Sequence, residues 1–230
     1  MPLIASPPRY VVNPMPVQIT KAQVKALLKL DTGTIGHVLD AGFMDQGLQQ
    51  QMPGRKLAGT AITVRCTLPD SVMGHYALKF ARPGDILVID RGQDQRTACW
   101  GAATAYAAAA TGLSGVIIDG ATSDVADSNA AGLPVWSRGL SPVTTKYRGL
   151  GGEMNIPITC GGVAVKPGDA ILADENGIVV IDPSQLDEVI SQSQFWMRSE
   201  KAFLQTLRKN PRLCYPDFTG ASAIVEKNLG

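Results

Sequence analysis

The chain has 230 residues, 45% of them hydrophobic and 18% charged, with a formal net charge of +1. It is long enough to bury a real core, and it carries no basic block of the kind that marks a nucleic-acid footprint. An acidic metabolite would need local positive charge or a metal, because the molecule as a whole provides no attracting field.

Residues 1–16 contain five prolines and read as an extended arm, packed on the surface or on a neighbouring subunit. No basic region precedes a long apolar one, so neither a signal peptide nor a membrane span is expected, and the cytoplasm is the expected compartment. The four cysteines (Cys66, Cys99, Cys160 and Cys214) form no Cys-x-x-Cys pair. That argues against structural zinc and for scattered thiols in a reducing compartment.

"TKAQVKALLKL" (20–30) predicts a helix capped by Thr20, and "TGTIGHVLDAGF" a second, weaker one. "LAGTAITVRC" (57–66) has the β-branched content of a strand. "RPGDILVID" (82–90) and "KPGDAILAD" (166–174) echo each other, each placing a Pro-Gly-Asp turn directly before a short apolar strand. Between them, "TACWGAATAYAAAATGLSGVIID" reads as helix, glycine stop, then buried strand. The β-branched run is expected to end at Asp119-Gly120, and a second carboxylate, Asp124, follows five residues after Asp119. A short polar helix, the strand "LPVWSRG", three further short strands and a long amphipathic helix from Pro183 to about Arg208 complete the pattern. The order predicts one layered α/β domain over 20–209, an arm over 1–19 and a tail over 210–230.

Two features carry possible chemistry. A helix opening at Gly101 offers the amides of Ala102, Ala103 and Thr104 to a carboxylate; tight packing of small residues on a sheet is the plainer explanation. Asp124, just past a buried strand, could hold a hard cation through oxygen and water ligands, or could simply cap a helix. His75, inside "VMGHYALKF", reads as a satisfied core residue, and Arg138 and Lys146 as solvated loop residues. No Gly-x-Ser-x-Gly, His-Glu-x-x-His, P-loop or Gly-x-Gly-x-x-Gly motif occurs.

The ordered run "PGDILVID … ACWGAATAYAAAATGLSGVIIDGATSDV … LPVWSRGLSP … NIPITCGGVAVKPGDAILADENGIVVI" closely resembles the RraA-like family over roughly residues 30–185. That family includes the 4-hydroxy-4-methyl-2-oxoglutarate/4-carboxy-4-hydroxy-2-oxoadipate aldolases and the regulator of ribonuclease E activity. The resemblance implies a swivelling β/β/α domain with a long C-terminal helix, assembled as trimers or dimers of trimers with sites between subunits. It also implies that the turn at Trp100-Gly101-Ala102-Ala103-Thr104 holds a substrate carboxylate. The family's substrate-pairing arginine falls on Ser123, and its metal-holding aspartate on Asp124. A glutamate from a neighbouring subunit's terminal helix would correspond to Glu200.

The chain departs from the family pattern at three points: serine replaces the arginine at Ser123, alanine replaces a glutamate at Ala102, and histidine replaces an aspartate at His37. Arginine grips a carboxylate with two charge-assisted bonds and serine offers one neutral donor. The loss of a charged bond contributing about 1.5–3 kcal/mol would lower affinity tenfold or more. Arg91 and Arg96 are the nearest cations in sequence that could compensate.

The expectation is therefore a lyase of aldolase or decarboxylase type, dependent on Mg²⁺ or Mn²⁺. It would act on a small 2-oxo or hydroxy carboxylic acid with atypical specificity. Asp124 is the catalytic and metal residue, and Gly101, Ala102, Ala103, Thr104 and Ser123 form the substrate site. The competing expectation is a non-catalytic binding or regulatory protein on the same scaffold.

Overall fold

The computed structural model describes residues 9–229. The first elements in chain order are β1 (Tyr10–Val12), α1 (Lys21–Leu27), α2 (Thr32–Ile35), β2 (Gln49–Gln50), β3 (Leu57–Cys66) and α3 (Val72–Ala77). β4 (Asp85–Asp90), α4 (Ala102–Ala110), β5 (Gly115–Thr122), α5 (Val125–Ala130) and β6 (Val135–Leu140) follow. Five short strands come next: β7 (Gly152–Met154), β8 (Ile158–Cys160), β9 (Val163–Val165), β10 (Ala170–Asp174) and β11 (Gly177–Ile181). The chain closes with α6 (Leu186–Lys209), α7 (Tyr215–Thr219) and α8 (Ala221–Glu226).

α1 begins at the predicted cap. The Thr20 hydroxyl accepts the Gln23 N–H, and the Gln23 side chain accepts the Thr20 N–H, so two orphan donors are satisfied reciprocally. The second predicted helix shrinks to one turn, because "TGTIG" combines glycine with β-branched residues of poor helix propensity. Its start is fixed from outside, where Asp174 accepts both the N–H and the hydroxyl of Thr32. The arm over 1–19 lies partly outside the described residues. Its described portion packs on its own chain, with β1 pairing in parallel with β7.

β3, β4, β5 and β6 form a parallel set at the centre of the larger sheet. The two echoing segments lie on opposite edges of β3, since Thr60 faces Asp85 of β4 on one side and Ala170 of β10 on the other. Their turns close alike: Asp85 accepts the Arg82 N–H at 3.0 Å, and Asp169 accepts the Lys166 N–H at 2.7 Å.

Strand alternation builds the layers. Leu87, Ile89, Val116 and Ile118 face α3 and α4, packing against Met73, Ala77 and Ala108. Ile86, Val88 and Ile117 face the other way, onto Ile158, Cys160 and Val165 of the β8–β9 hairpin. A third cluster seats the first two turns of α6, through Leu186, Val189 and Ile190, on α1, β10 and β11. The result is the expected mixed α/β domain with a layered sheet and a long C-terminal helix. The tail, which gave no signal in sequence, folds into α7 and α8, and Phe218 stacks on Phe203 of α6 with ring centroids 5.2 Å apart.

Two local expectations are corrected. β5 does not end at Asp119-Gly120; it continues through a register shift to Thr122. Asp119 stays inside the strand, accepting from Arg138 Nε at 2.6 Å and from the Gly161 N–H at 2.8 Å. Arg138 is accordingly not a solvated loop residue. It lies in β6, mostly buried, and its fork spans Asp119 and Asp45.

Candidate functional site

The carboxyl ends of parallel strands are where ligands bind in open α/β sheets. Here four consecutive parallel strands deliver their loops to one rim. β3 leads into Ser71 and α3, β4 into Trp100 and α4, β5 into Ser123-Asp124 and α5, and β6 into the segment 141–147. Backbone bonds stitch these loops together: Ala98 N–H to Val143 carbonyl at 2.8 Å, Thr145 N–H to Ala98 carbonyl at 3.0 Å, and Ser141 N–H to Thr122 carbonyl at 2.9 Å. They enclose an open pocket of about 190 Å³, lined by parts of all four.

α4 forms the floor. Alanine content makes the helix, and it stops at Gly112, whose φ of +80° a side chain would strain. Its first turn is partly closed from within. Thr104 Oγ1 accepts the Gly101 N–H at 2.9 Å and donates to the Gly101 carbonyl at 2.8 Å. Gly101 is required by proximity: a Cβ there would lie 2.5 Å from Asp124 Oδ2 and 2.9 Å from Ser123 Oγ.

Asp124 occupies the cap position of α5, where its carbonyl accepts the Ser128 N–H at 2.8 Å, but its side chain makes no cap bond to that helix. It adopts a left-handed φ of +53°, uncommon for a residue other than glycine, and turns its carboxylate onto α4. Oδ2 accepts the Ala102 N–H at 3.3 Å. Of the three amides expected to receive a substrate carboxylate, one is thus already engaged by the protein's own acid. Those of Ala103 and Thr104 have no hydrogen-bond partner among the described residues. Asp124 Oδ1 is likewise without one, and the residue is exposed at the pocket lip.

Ser123 is held in place beneath it. Its N–H and its hydroxyl both donate to the Trp100 carbonyl, at 2.8 and 3.3 Å, where Thr122 also donates at 2.9 Å. Neither cation considered as a substitute for the missing arginine reaches the pocket. Arg91 is fully buried and spends its guanidinium on the Asp70 carbonyl, Asp94 and Thr97. Arg96 is exposed and stands outside the lining. Glu200 lies on the exposed second half of α6, also outside it.

The rest of the lining includes Ser71, His75, Thr145 and Tyr147, of which the sequence singles out only His75. Ser71 accepts the Thr145 hydroxyl at 2.8 Å, and Tyr147 OH lies 2.8 Å from His75 Nδ1 with the rings edge to face. His75 was read as a satisfied core residue; it is half-buried and borders the pocket. Burial pushes its pKa below the usual imidazole value, and the nearby Asp70 carboxylate pulls the other way. Burial also raises the Asp70 carboxyl, but the N–H groups of Leu150, Val72 and Ser71 prevail and hold it below the ordinary range. Cys99, in the floor, is pushed by burial up to about 12, so it is an inert thiol here.

The pocket therefore combines one carboxylate, one imidazole, the hydroxyls of Ser71, Thr104, Ser123, Thr144, Thr145 and Tyr147, and two free amides. No Lys or Arg lines it among the described residues. Nor do three or more His, Cys, Asp or Glu side chains converge anywhere among them to form a cage for a metal.

A family model described as RraA-like, Aldolase/RraA, matches residues 33–180. A relative from Halalkalibacterium halodurans, provisionally named a 4-hydroxy-4-methyl-2-oxoglutarate aldolase, is 32% identical over 67% of this chain and 73% of its own length. An uncharacterized protein of Methanocaldococcus jannaschii is 32% identical over 83% of this chain and 97% of its own. Among solved structures, a Streptomyces coelicolor protein described as an unusual member of the RNase ES inhibitor RraA family superposes with a TM-score of 0.71. At 24% identity over 81% of this chain and 97% of its own, it shares the fold.

Proposed function

The chain belongs to the RraA-like family, and from that premise we propose that it is a divalent-metal-dependent carbon–carbon lyase for a small 2-oxo or hydroxy acid. The observation that carries this reading is the charge balance of the pocket: a lone exposed carboxylate, Asp124, beside two free amides and no lining cation. An anionic substrate entering such a site would meet one full charge among the described residues, and it is negative. A cation on Asp124 reverses the sign and supplies the positive charge that an arginine at Ser123 would have given.

The residues fit such an ion. Mg²⁺ keeps several waters and needs one or two carboxylates plus substrate oxygens rather than an all-protein cage. Asp124 Oδ1 is the free oxygen that would hold it. When bound, the ion would polarise a 2-oxo group and stabilise the negative charge that develops as the carbon–carbon bond breaks. The chain's own residues do the rest. The amides of Ala103 and Thr104, at the positive end of α4, bind one substrate carboxylate oxygen. The hydroxyls of Thr144 and Tyr147 offer bonds to substrate hydroxyls across the pocket. We further propose assembly as a homotrimer or dimer of trimers. No helix of the described residues is long and apolar enough to cross a membrane.

A second reading, a non-catalytic binding protein, is favoured by one observation: Asp124 already sits on the N-terminus of α4, where a substrate would bind. A screen of 2-oxo and hydroxy acids with added Mg²⁺ or Mn²⁺, read by pyruvate or CO₂ release, separates the two. The lyase reading expects metal-dependent turnover of at least one monocarboxylate, lost in Asp124→Ala. No turnover across the screen would favour the binding protein.

A further inference from the structure

His75 is the imidazole of this pocket, and the site described above leaves its chemistry unused. The geometry points to His75 as the proton-transfer group of the lyase, with Tyr147 as the residue that positions it, an inference that rests on the lyase reading. Three observations support it. His75 lines the same pocket as Asp124. Its Nδ1 is engaged by Tyr147 OH at 2.8 Å, while Nε2 has no hydrogen-bond partner among the described residues. The ring is half-buried on α3, a rigid element packed against β3, rather than on a solvated loop.

The tautomer decides the role. With the proton on Nδ1, that N–H donates to the Tyr147 oxygen, Nε2 keeps its lone pair for the substrate, and Tyr147 retains its own O–H. The cleavage step then balances on this chain's atoms. Nε2 takes the proton of the substrate's 4-hydroxyl, the O–H electron pair becomes the new C=O, and the C3–C4 bond breaks with its pair left on C3. The same Nε2 then returns the proton to C3, releasing the 2-oxo acid. Neutral imidazole is the competent form. The acidic groups near it are Asp70 ahead of α3 and Asp124 in the same lining, with the Tyr147 hydroxyl against Nδ1 and the silent thiol of Cys99 in the floor.

Exchange of the pyruvate C3 protons in D₂O with Mg²⁺ tests the second half of this step without needing the natural substrate. The wild type is expected to exchange. His75→Gln should lose roughly 100-fold or more, in the range of general acid–base contributions, while its Mg²⁺-induced melting shift stays unchanged. Tyr147→Phe, on an exposed loop where folding is not at stake, should move the acidic limb of the rate profile to lower pH. It removes an acceptor that favours the charged imidazolium. The chain has only two histidines, so ¹⁵N spectra with His37→Asn as the assignment control report the His75 tautomer directly. Exchange in wild type that survives in His75→Gln within twofold, or a proton resident on Nε2, overturns the inference and leaves the lyase reading standing. No metal-dependent exchange in wild type overturns both.

Discussion

Asp124 and Ala102, 22 residues apart in the chain, meet where the Asp124 carboxylate accepts the Ala102 N–H at 3.3 Å. One residue thereby closes the first turn of α4 and leaves its other oxygen facing the pocket. The two roles are separable by substitution. Asn keeps the acceptor and tolerates the left-handed backbone; Ala keeps neither. Asp124→Ala is expected to cost about 1 kcal/mol in denaturant unfolding, the size of a lost helix cap, and Asp124→Asn less than half of that. Equal losses would show that the bond to Ala102 contributes nothing.

Arg91 and Arg96 differ in kind. Truncating Arg91 removes the donor to the Asp70 carbonyl and one charged partner of Asp94, which keeps the Thr97 hydroxyl and the N–H groups of Arg96 and Thr97. Arg91→Ala should therefore destabilise the fold by roughly 1–3 kcal/mol, the cost of leaving a buried carbonyl without its donor. Arg96→Ala should melt with the wild type. Comparable melting of both variants, with a selective loss of substrate affinity in Arg91→Ala, would instead make Arg91 the missing carboxylate partner.

Ser123 sets the expected selectivity. Its hydroxyl is committed to the Trp100 carbonyl and no Lys or Arg among the described residues lines the pocket, so a second substrate carboxylate lacks a cationic partner there. Cleavage of dicarboxylic aldols should be poor even with saturating Mg²⁺. An arginine at this position, Ser123→Arg, should tighten oxalate binding tenfold or more, the size of a charge-assisted pair. An unchanged Kd would show that the site does not bind carboxylates there.

The proposed assembly has a candidate surface on α6. α6 buries only Leu186, Val189, Ile190 and Ser193, and beyond them it exposes Phe195, Trp196 and Leu204. Light scattering at micromolar concentration should give three or six times the chain mass, and a monomer would overturn the proposed assembly.

Acid should loosen the rim before the core. Asp70 and Asp94, whose carboxyls are held below their ordinary range, contribute stability that is present above the unfolded carboxyl pKa of about 4 and lost as pH falls further. Urea midpoints should therefore drop steeply below about pH 4, and the drop should be shallower in Asp70→Asn.

The layered fold was legible because its signals are local. β-branched alternation marks β3 to β5, Thr20 and Gln23 mark a cap, and Pro-Gly-Asp marks two turns that close identically. Asp124 and the α4 turn were legible through the ordered motif. What sequence could not show is the wall facing them. Ser71 and His75, before and in α3, and Thr145 and Tyr147, in the segment after β6, are more than 70 residues apart and meet only because β3 and β6 are parallel and share a rim. Asp119 misled for a related reason: the register shift in β5 carries the strand past it and turns it toward Arg138. Arg91 misled because sequence proximity to Trp100 says nothing of burial.

The central claim is that Asp124 holds a divalent cation on which carboxylate binding depends. Calorimetric titration of Mn²⁺ into the wild type and Asp124→Asn, followed by pyruvate into each, tests it most directly. One Mn²⁺ per chain in the wild type, none in Asp124→Asn, and pyruvate binding only after Mn²⁺ is the predicted result. Equal Mn²⁺ binding by the two proteins, or pyruvate binding to metal-free wild type, would contradict it.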